Sequence, residues 1–309
     1  MNDTGLPEVA PQKGMPTEVT IWEVGARDGL QNEATALSTQ TKVEFINRLS
    51  ATGLAIVEAT SFVSPQWVPQ LADAQDVMAE LSLDGLVRYP VLVPNVAGLQ
   101  RAEAAGVRDI AVFASATETF AKKNLNRTLS EQMTMFAPVI QGAKDRGMSV
   151  RGYVSMCFGD PWEGVVPKSQ VVSVCGQLLA AGCDSISLGD TIGVATPGQV
   201  QDLIVDVTRF VDIPALAVHF HDTFGQALSN TYAALQAGVT TIDSSAGGLG
   251  GCPYAKSATG NLATEDLIWM LDGLGIATGV DLAALVQTSR WLAEKLGRPS
   301  PSRVVRALP

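Results

Sequence analysis

Histidine is scarce in this chain. His219 and His221 are the only two in 309 residues. Aromatic residues are few as well, at 6%. No apolar run approaches the length of a membrane span, which argues against a membrane partner. Basic runs are also missing and the net charge is −10, so a nucleic-acid partner is not expected. The four cysteines, Cys157, Cys175, Cys183 and Cys252, form no C-x-x-C pair and no disulfide-like spacing. A reducing cytoplasm is the default compartment. The opening stretch "MNDTGLPEVAPQKGMPTE" has no hydrophobic signal segment and is not rich in arginine. Residues 1–17 are expected to form a mobile arm ahead of a single domain over 18–309.

What is abundant is aliphatic. Hydrophobic residues make up 46% of the chain and glycines number 29. A core of Val, Ile, Leu and Ala suits an α/β protein with a parallel sheet. Eight short apolar runs recur between longer stretches: 19–25, 54–60, 87–94, 109–115, 149–156, 185–190, 216–222 and 240–246. Glycine stands just before several of them, as in "ATGLAIVEA" and "AAGCDSISLG", where a helix C-cap would turn into a strand. The stretches between carry helical spacing, for example Val43, Ile46 and Leu49. Eight alternating units predict a (β/α)8 TIM barrel with a helical C-terminal extension that includes "LAALVQTSRWLAEKLG". A doubly wound open sheet is the alternative. Pro90 inside the third run disfavours a long strand there.

The two histidines lie in "LAVHFHDTFGQ", an apolar run that reads as a strand. Strand side chains alternate, so His219 and His221 share one face, roughly 6–7 Å apart at Cα. Two imidazoles so placed can converge on one ion, whereas the plain alternative is core packing. Barrel active sites sit at the C-terminal ends of strands, where polar residues recur: Arg27, Asp28, Glu58, Asp190, His219, His221 and Asp243. Asp28 is the natural carboxylate partner for the imidazoles, although "RDGLQ" also reads as a turn. Strict alternation would point Arg27 and Asp28 to opposite faces unless the strand end bends. Glu58, among apolar neighbours, needs a partner, and Arg27 is one solution. Mixed nitrogen and oxygen ligation suits Mg2+, Mn2+, Co2+ or Zn2+.

After the last run comes "SSAGGLGGCPYAKSATGNLATEDL". Its glycines could cradle a phosphate or serve as a mobile lid. Cys252 follows the last of them and is a candidate acid, base or nucleophile. Asn261 is either a turn residue or a further oxygen ligand. Thr264, followed by Glu265 and Asp266, looks like a helix N-cap. The densest basic patch is "FAKKNLNR", with Lys122 and Lys123. It could meet an anionic ligand, or it is a solvated loop or helix start.

The segments "EVGARDGLQNE", "EATSFVSPQWVPQLAD", "SLGDTIGVATPGQV", "AVHFHDTFGQALSNTYAAL" and "GGLGGCPYA…TGNLATEDL" together resemble the 3-hydroxy-3-methylglutaryl-CoA lyases. The matches keep family order from about Glu18 to about Asp281. By that resemblance Asp28, His219, His221 and Asn261 are the ligands of a divalent cation, Mg2+ or Mn2+ foremost. Arg27 is the catalytic arginine and Cys252 the lid cysteine. Glu58 and Asp190 are supporting acids, with Asp190 or His219 as candidate base. The implied reaction cleaves 3-hydroxy-3-methylglutaryl-CoA to acetyl-CoA and acetoacetate. The implied partners are an acyl-CoA substrate, set against Lys122 and Lys123, and further copies of the chain in a homo-oligomer. A related acyl-CoA lyase, a Claisen-type synthase, a 4-hydroxy-2-oxoacid aldolase and a non-catalytic metal- or CoA-binding scaffold are the alternatives. The chain departs from the family pattern at Ala26, where proline is common, at Asp160, where some members have cysteine, and at Lys256 and Ser257 in the lid. It also lacks the cysteine that animal members carry near the C-terminus.

Overall fold

The computed structural model describes residues 6–251 and 260–308. All eight apolar runs form strands where the sequence puts them. They are Thr20–Glu23, the paired halves Ile56–Val57 and Thr60–Ser61, Val91–Leu92, Asp109–Ser115, Ser149–Ser155, Ser185–Asp190, Leu216–Phe220 and Thr241–Ser244. Every pairing between them is parallel. The first strand pairs with both the last and the second, which makes the sheet a ring.

The ring closes through residues 56–61. Along that segment the backbone amides alternate between neighbours: Glu58 N donates to Glu23 O on one side, Val57 N to Arg88 O and Ala59 N to Pro90 O on the other. The third strand is only Val91–Leu92 because Pro90 has no N–H to extend the ladder backwards. Gly53, Gly106, Gly147, Gly182 and Gly238, the glycines expected before strands, all take positive φ between 71° and 111°. A side chain at these helix exits would be strained.

Outside the ring lie the helices. The helix Thr39–Ala51 starts at Ser38, whose hydroxyl accepts Thr41 N, and buries Val43, Ile46 and Leu49 as the spacing predicts. The C-terminal extension is helical over Leu282–Leu296 and Arg303–Ala307. Residues ahead of the barrel pack on it: Ala10 N donates to Gly273 O, and the Tyr232 hydroxyl reaches Gln12. Among the described residues no helix is long and apolar enough to cross a membrane.

The main core fills the space between ring and helices. Inside the ring are two small apolar clusters, Trp22–Val24–Ile56 and Leu92–Ala111–Tyr153. Between them the barrel holds charged groups, and these build the floor of the site.

Candidate active site

The first strand ends at Glu23 and the chain turns at once into one wide helical turn, Gly25–Gly29. Gly29 N closes it by donating to Val24 O. Successive residues of such a helical turn project well short of opposite faces, unlike those of a strand. That bend brings both Arg27 and Asp28 to the cavity, and their side chains meet at 2.6 Å (Nη1 to Oδ1).

Glu58 lies in the break of the second strand and is fully buried. Three donors hold it: Arg27 Nε at 2.6 Å, Trp22 Nε1 at 2.8 Å and the Tyr153 hydroxyl at 2.5 Å. Burial works against the charge of Arg27, but Glu58 and Asp28 more than offset it and raise the guanidinium pKa. Burial likewise disfavours the Asp28 carboxylate, yet Arg27, both imidazoles and Asn261 outweigh it and bring the pKa down to about 2. Asp28 is thus an anion at any ordinary pH.

Potential ligand atoms of Asp28, His219 and His221 all lie within 4.8 Å of one another. Asn261 sits beside them, bridged to His221 through the backbone. Its Nδ2 donates to Asp28 Oδ2 at 2.9 Å and to Leu249 O at 3.0 Å. Its Oδ1 is buried without a hydrogen-bond partner among the described residues. A buried orphan oxygen next to two imidazoles and a carboxylate is a donor set that a divalent cation satisfies. Gly250 makes this arrangement possible. It has φ +107°, and a Cβ there would stand 2.5 Å from Asn261 Nδ2.

These groups open into a cavity of about 620 Å3, in the usual range for a small-molecule site. Tyr153, Thr191, Trp67, Asn124 and Arg127 contribute to its lining.

Other expected residues are placed differently. Asp190 pairs in register with Phe220, while Gly189 pairs with His219. Its side chain therefore turns away from the barrel interior, and its oxygens accept Val194 N and Ala195 N, both at 3.0 Å. Burial raises its pKa to about 6 against those donors. Lys122 and Lys123 lie exposed in the last turn of the helix Glu118–Leu125, so the basic patch is a helix end rather than a loop or a helix start. Lys122 pairs with Glu118 at 2.9 Å, and Lys123 Nζ lies 4.8 Å from the centre of the Trp162 ring. Neither lysine lines the cavity. Cys252, with Lys256 and Ser257, lies outside the described residues.

The glycine-rich stretch does not cradle a phosphate over 246–249. Ala246 N donates to Glu23 and Gly247 N to Glu265, while Gly248 N and Leu249 N bond to backbone carbonyls. Thr264 is not an N-cap. It is the first residue of the helix Thr264–Gly273, and its hydroxyl donates to Glu23 Oε2 at 2.6 Å. Glu23 and Glu265, both fully buried, were not singled out from the sequence, nor were Trp22, Arg151 and Tyr153. The available signals were Glu23 and Arg151, charged residues inside the runs 19–25 and 149–156.

An anion and two imidazoles gathered at strand ends beside a buried guanidinium define a class: barrel enzymes suited to a divalent cation. The description HMGL-like matches residues 18–292. A mouse relative, the mitochondrial hydroxymethylglutaryl-CoA lyase, is 50% identical over 95% of this chain and 90% of its own length. The rat cytoplasmic 3-hydroxy-3-methylglutaryl-CoA lyase is 50% identical over 97% of this chain and 88% of its own. The crystal structure of hydroxymethylglutaryl-CoA lyase from Pseudomonas aeruginosa superposes with a TM-score of 0.93, at 45% identity, over 96% of this chain and 98% of that one. This chain belongs to the HMGL-like family.

Proposed function

We propose that this protein cleaves 3-hydroxy-3-methylglutaryl-CoA to acetyl-CoA and acetoacetate with the aid of a divalent cation. The observation that carries this reading is the cluster of Asp28, His219 and His221 within 4.8 Å, set beside Arg27 in the cavity of a chain half identical to lyases of that name.

Asp28, His219, His221 and Asn261 would hold the ion, Mg2+ or Mn2+. Bound there, it supplies Lewis-acid polarisation and a template for a hydroxyl and a carboxylate. When the C2–C3 bond breaks, its electrons collect on the thioester as an enolate, and charge grows on the thioester oxygen. Arg27 lines the cavity with Nε and Nη1 held by Glu58 and Asp28, and we assign its remaining N–H groups to that oxygen. Cys252, the next residue in sequence after Gly251, is the donor we assign to the enolate carbon. Of the two candidates for accepting the hydroxyl proton, Asp190 is turned out of the cavity and His219 reaches it. A ligating imidazole takes no proton, so His219 could do this only when released from the ion. The geometry favours a different task for Asp190, anchoring the 193–195 loop.

Arg127, at the cavity lining, replaces Lys122 and Lys123 as the group we assign to the anionic end of an acyl-CoA. The buried unpaired thiols of Cys157, Cys175 and Cys183 suit a reducing compartment, which we take to be the cytoplasm.

The test is acetyl-CoA release from a panel of 3-hydroxyacyl-CoA thioesters and free 4-hydroxy-2-oxoacids. Turnover of the 3-hydroxy-3-methylglutaryl thioester above all others supports the reading. Preference for another acyl chain or for a free oxoacid moves the protein to a neighbouring activity on the same barrel.

A further inference from the structure

His219 and Asp243 stand opposite each other in the parallel pairing of the last two strands, so their side chains share the face that looks into the ring. Asp243 Oδ2 lies 3.3 Å from His219 Nδ1. That nitrogen is buried and has no hydrogen bond among the described residues, so the pair is a close contact within reach of a bond.

The carboxylate is fixed from its other sides. It is fully enclosed, with Arg151 Nη2 donating to Oδ1 at 2.5 Å and the Ser187 hydroxyl donating to Oδ2 at 3.0 Å. Arg151 is itself clamped, its guanidinium carbon 4.0 Å from the centre of the Trp22 ring and 5.0 Å from that of Tyr153. The same two aromatic residues hold Glu58, which holds Arg27. One polar layer across the barrel thus supports two working groups, Arg27 through Glu58 and His219 through Asp243.

A neutral imidazole has one proton and two nitrogens, and an acceptor beside one nitrogen decides where the proton sits. An imidazole that serves a cation commonly donates its other N–H to a carboxylate, which fixes both tautomer and ring angle. We propose that Asp243 is a positioning residue that holds the His219 proton on Nδ1 and so presents a bare Nε2 to the cavity and its cation. Arg151 and Ser187 keep the carboxylate in place for that task. The competing role is purely structural, with Asp243 present only to neutralise Arg151. This inference rests on the reading of the site as a cation site, but its first test does not.

The chain has only two histidines, so 15N-labelled histidine gives two imidazole spin systems. The His221→Gln variant assigns them. In metal-free wild-type protein at alkaline pH, His219 is expected as the Nδ1–H tautomer; a dominant Nε2–H tautomer overturns the proposal, whatever any variant does. Asp243→Asn is expected to lose that preference and to bind Mn2+ some 10–100-fold more weakly, the usual effect of removing such a support. If the orphaned Arg151 prevents folding, Asp243→Asn/Arg151→Met removes both charges and is read the same way. A folded variant that keeps the Nδ1–H tautomer and the wild-type Mn2+ affinity shows Asp243 to be structural only. Wild-type protein that shows the tautomer but binds no Mn2+ overturns the cation site and leaves the orientation of His219 standing.

Discussion

Arg27 and Glu58 meet at 2.6 Å inside the barrel, and Glu58 is completely enclosed. The pair could be read as simple charge neutralisation. Its other contacts argue against that, because Trp22 and Tyr153 also donate to Glu58 and fix it as a bracket for the guanidinium. Arg27 in turn faces the cavity beside Asp28.

Arg27→Gln is therefore expected to lower kcat by on the order of 10²–10³-fold, the usual cost of losing one donor aimed at developing negative charge. Mn2+ affinity should stay near wild type, because Asp28, His219, His221 and Asn261 remain. Arg27→Lys keeps the charge but not the fork that spans Glu58 and Asp28, and it should not restore full activity. The structural alternative makes the opposite forecast, that Arg27→Gln/Glu58→Gln recovers turnover. Measuring kcat, Mn2+ titration and melting temperature on the variants separates the two.

Cys252→Ser should fold with a wild-type melting temperature and lose most turnover. The residue follows Gly251 in a glycine-rich stretch of sequence, and its assigned task is proton delivery, for which a serine hydroxyl is a much weaker acid. A wild-type kcat in this variant would make Cys252 a packing residue.

Stability should depend on pH through Glu265. Burial pushes its pKa up from 4.5 to about 8, against donors from Ser289 and Gly247. The folded state then keeps a proton that the unfolded chain has released. The contribution is complete below about pH 4.5 and is lost as the pH rises towards 8. Glu23, raised to about 7 by burial, acts in the same direction over a narrower window. The melting temperature of the wild type should fall relative to Glu265→Gln as the pH is raised across this range. Parallel curves for the two proteins would show that Glu265 is ionised in the fold.

Much of this was legible in the sequence, and the reasons are physical. Strands of a parallel barrel are buried on both faces, so they read as apolar runs, and Gly53 or Gly182 marks each helix exit by its positive φ. The period of two in "HFH" put His219 and His221 on one face. The wide turn at Gly25–Gly29 was not legible, and without it Arg27 and Asp28 would diverge. Neither was the outward turn of Asp190, which depends on its register with Phe220. Arg151 and Asp243 are 92 residues apart and meet because the curled sheet turns both side chains into its interior. Glu23 and Glu265 looked like ordinary acids, and their partners are backbone amides and the distant hydroxyls of Thr264 and Ser289, which sequence does not reveal.

The most direct measurement is turnover of 3-hydroxy-3-methylglutaryl-CoA by protein stripped with a chelator, verified metal-free by elemental analysis, and then titrated with Mn2+. The cluster of Asp28, His219, His221 and Asn261 predicts no acetyl-CoA release from the stripped protein and full recovery near one ion per chain. In the His221→Ala variant recovery should require far more Mn2+. Full turnover by verified metal-free protein would contradict the account.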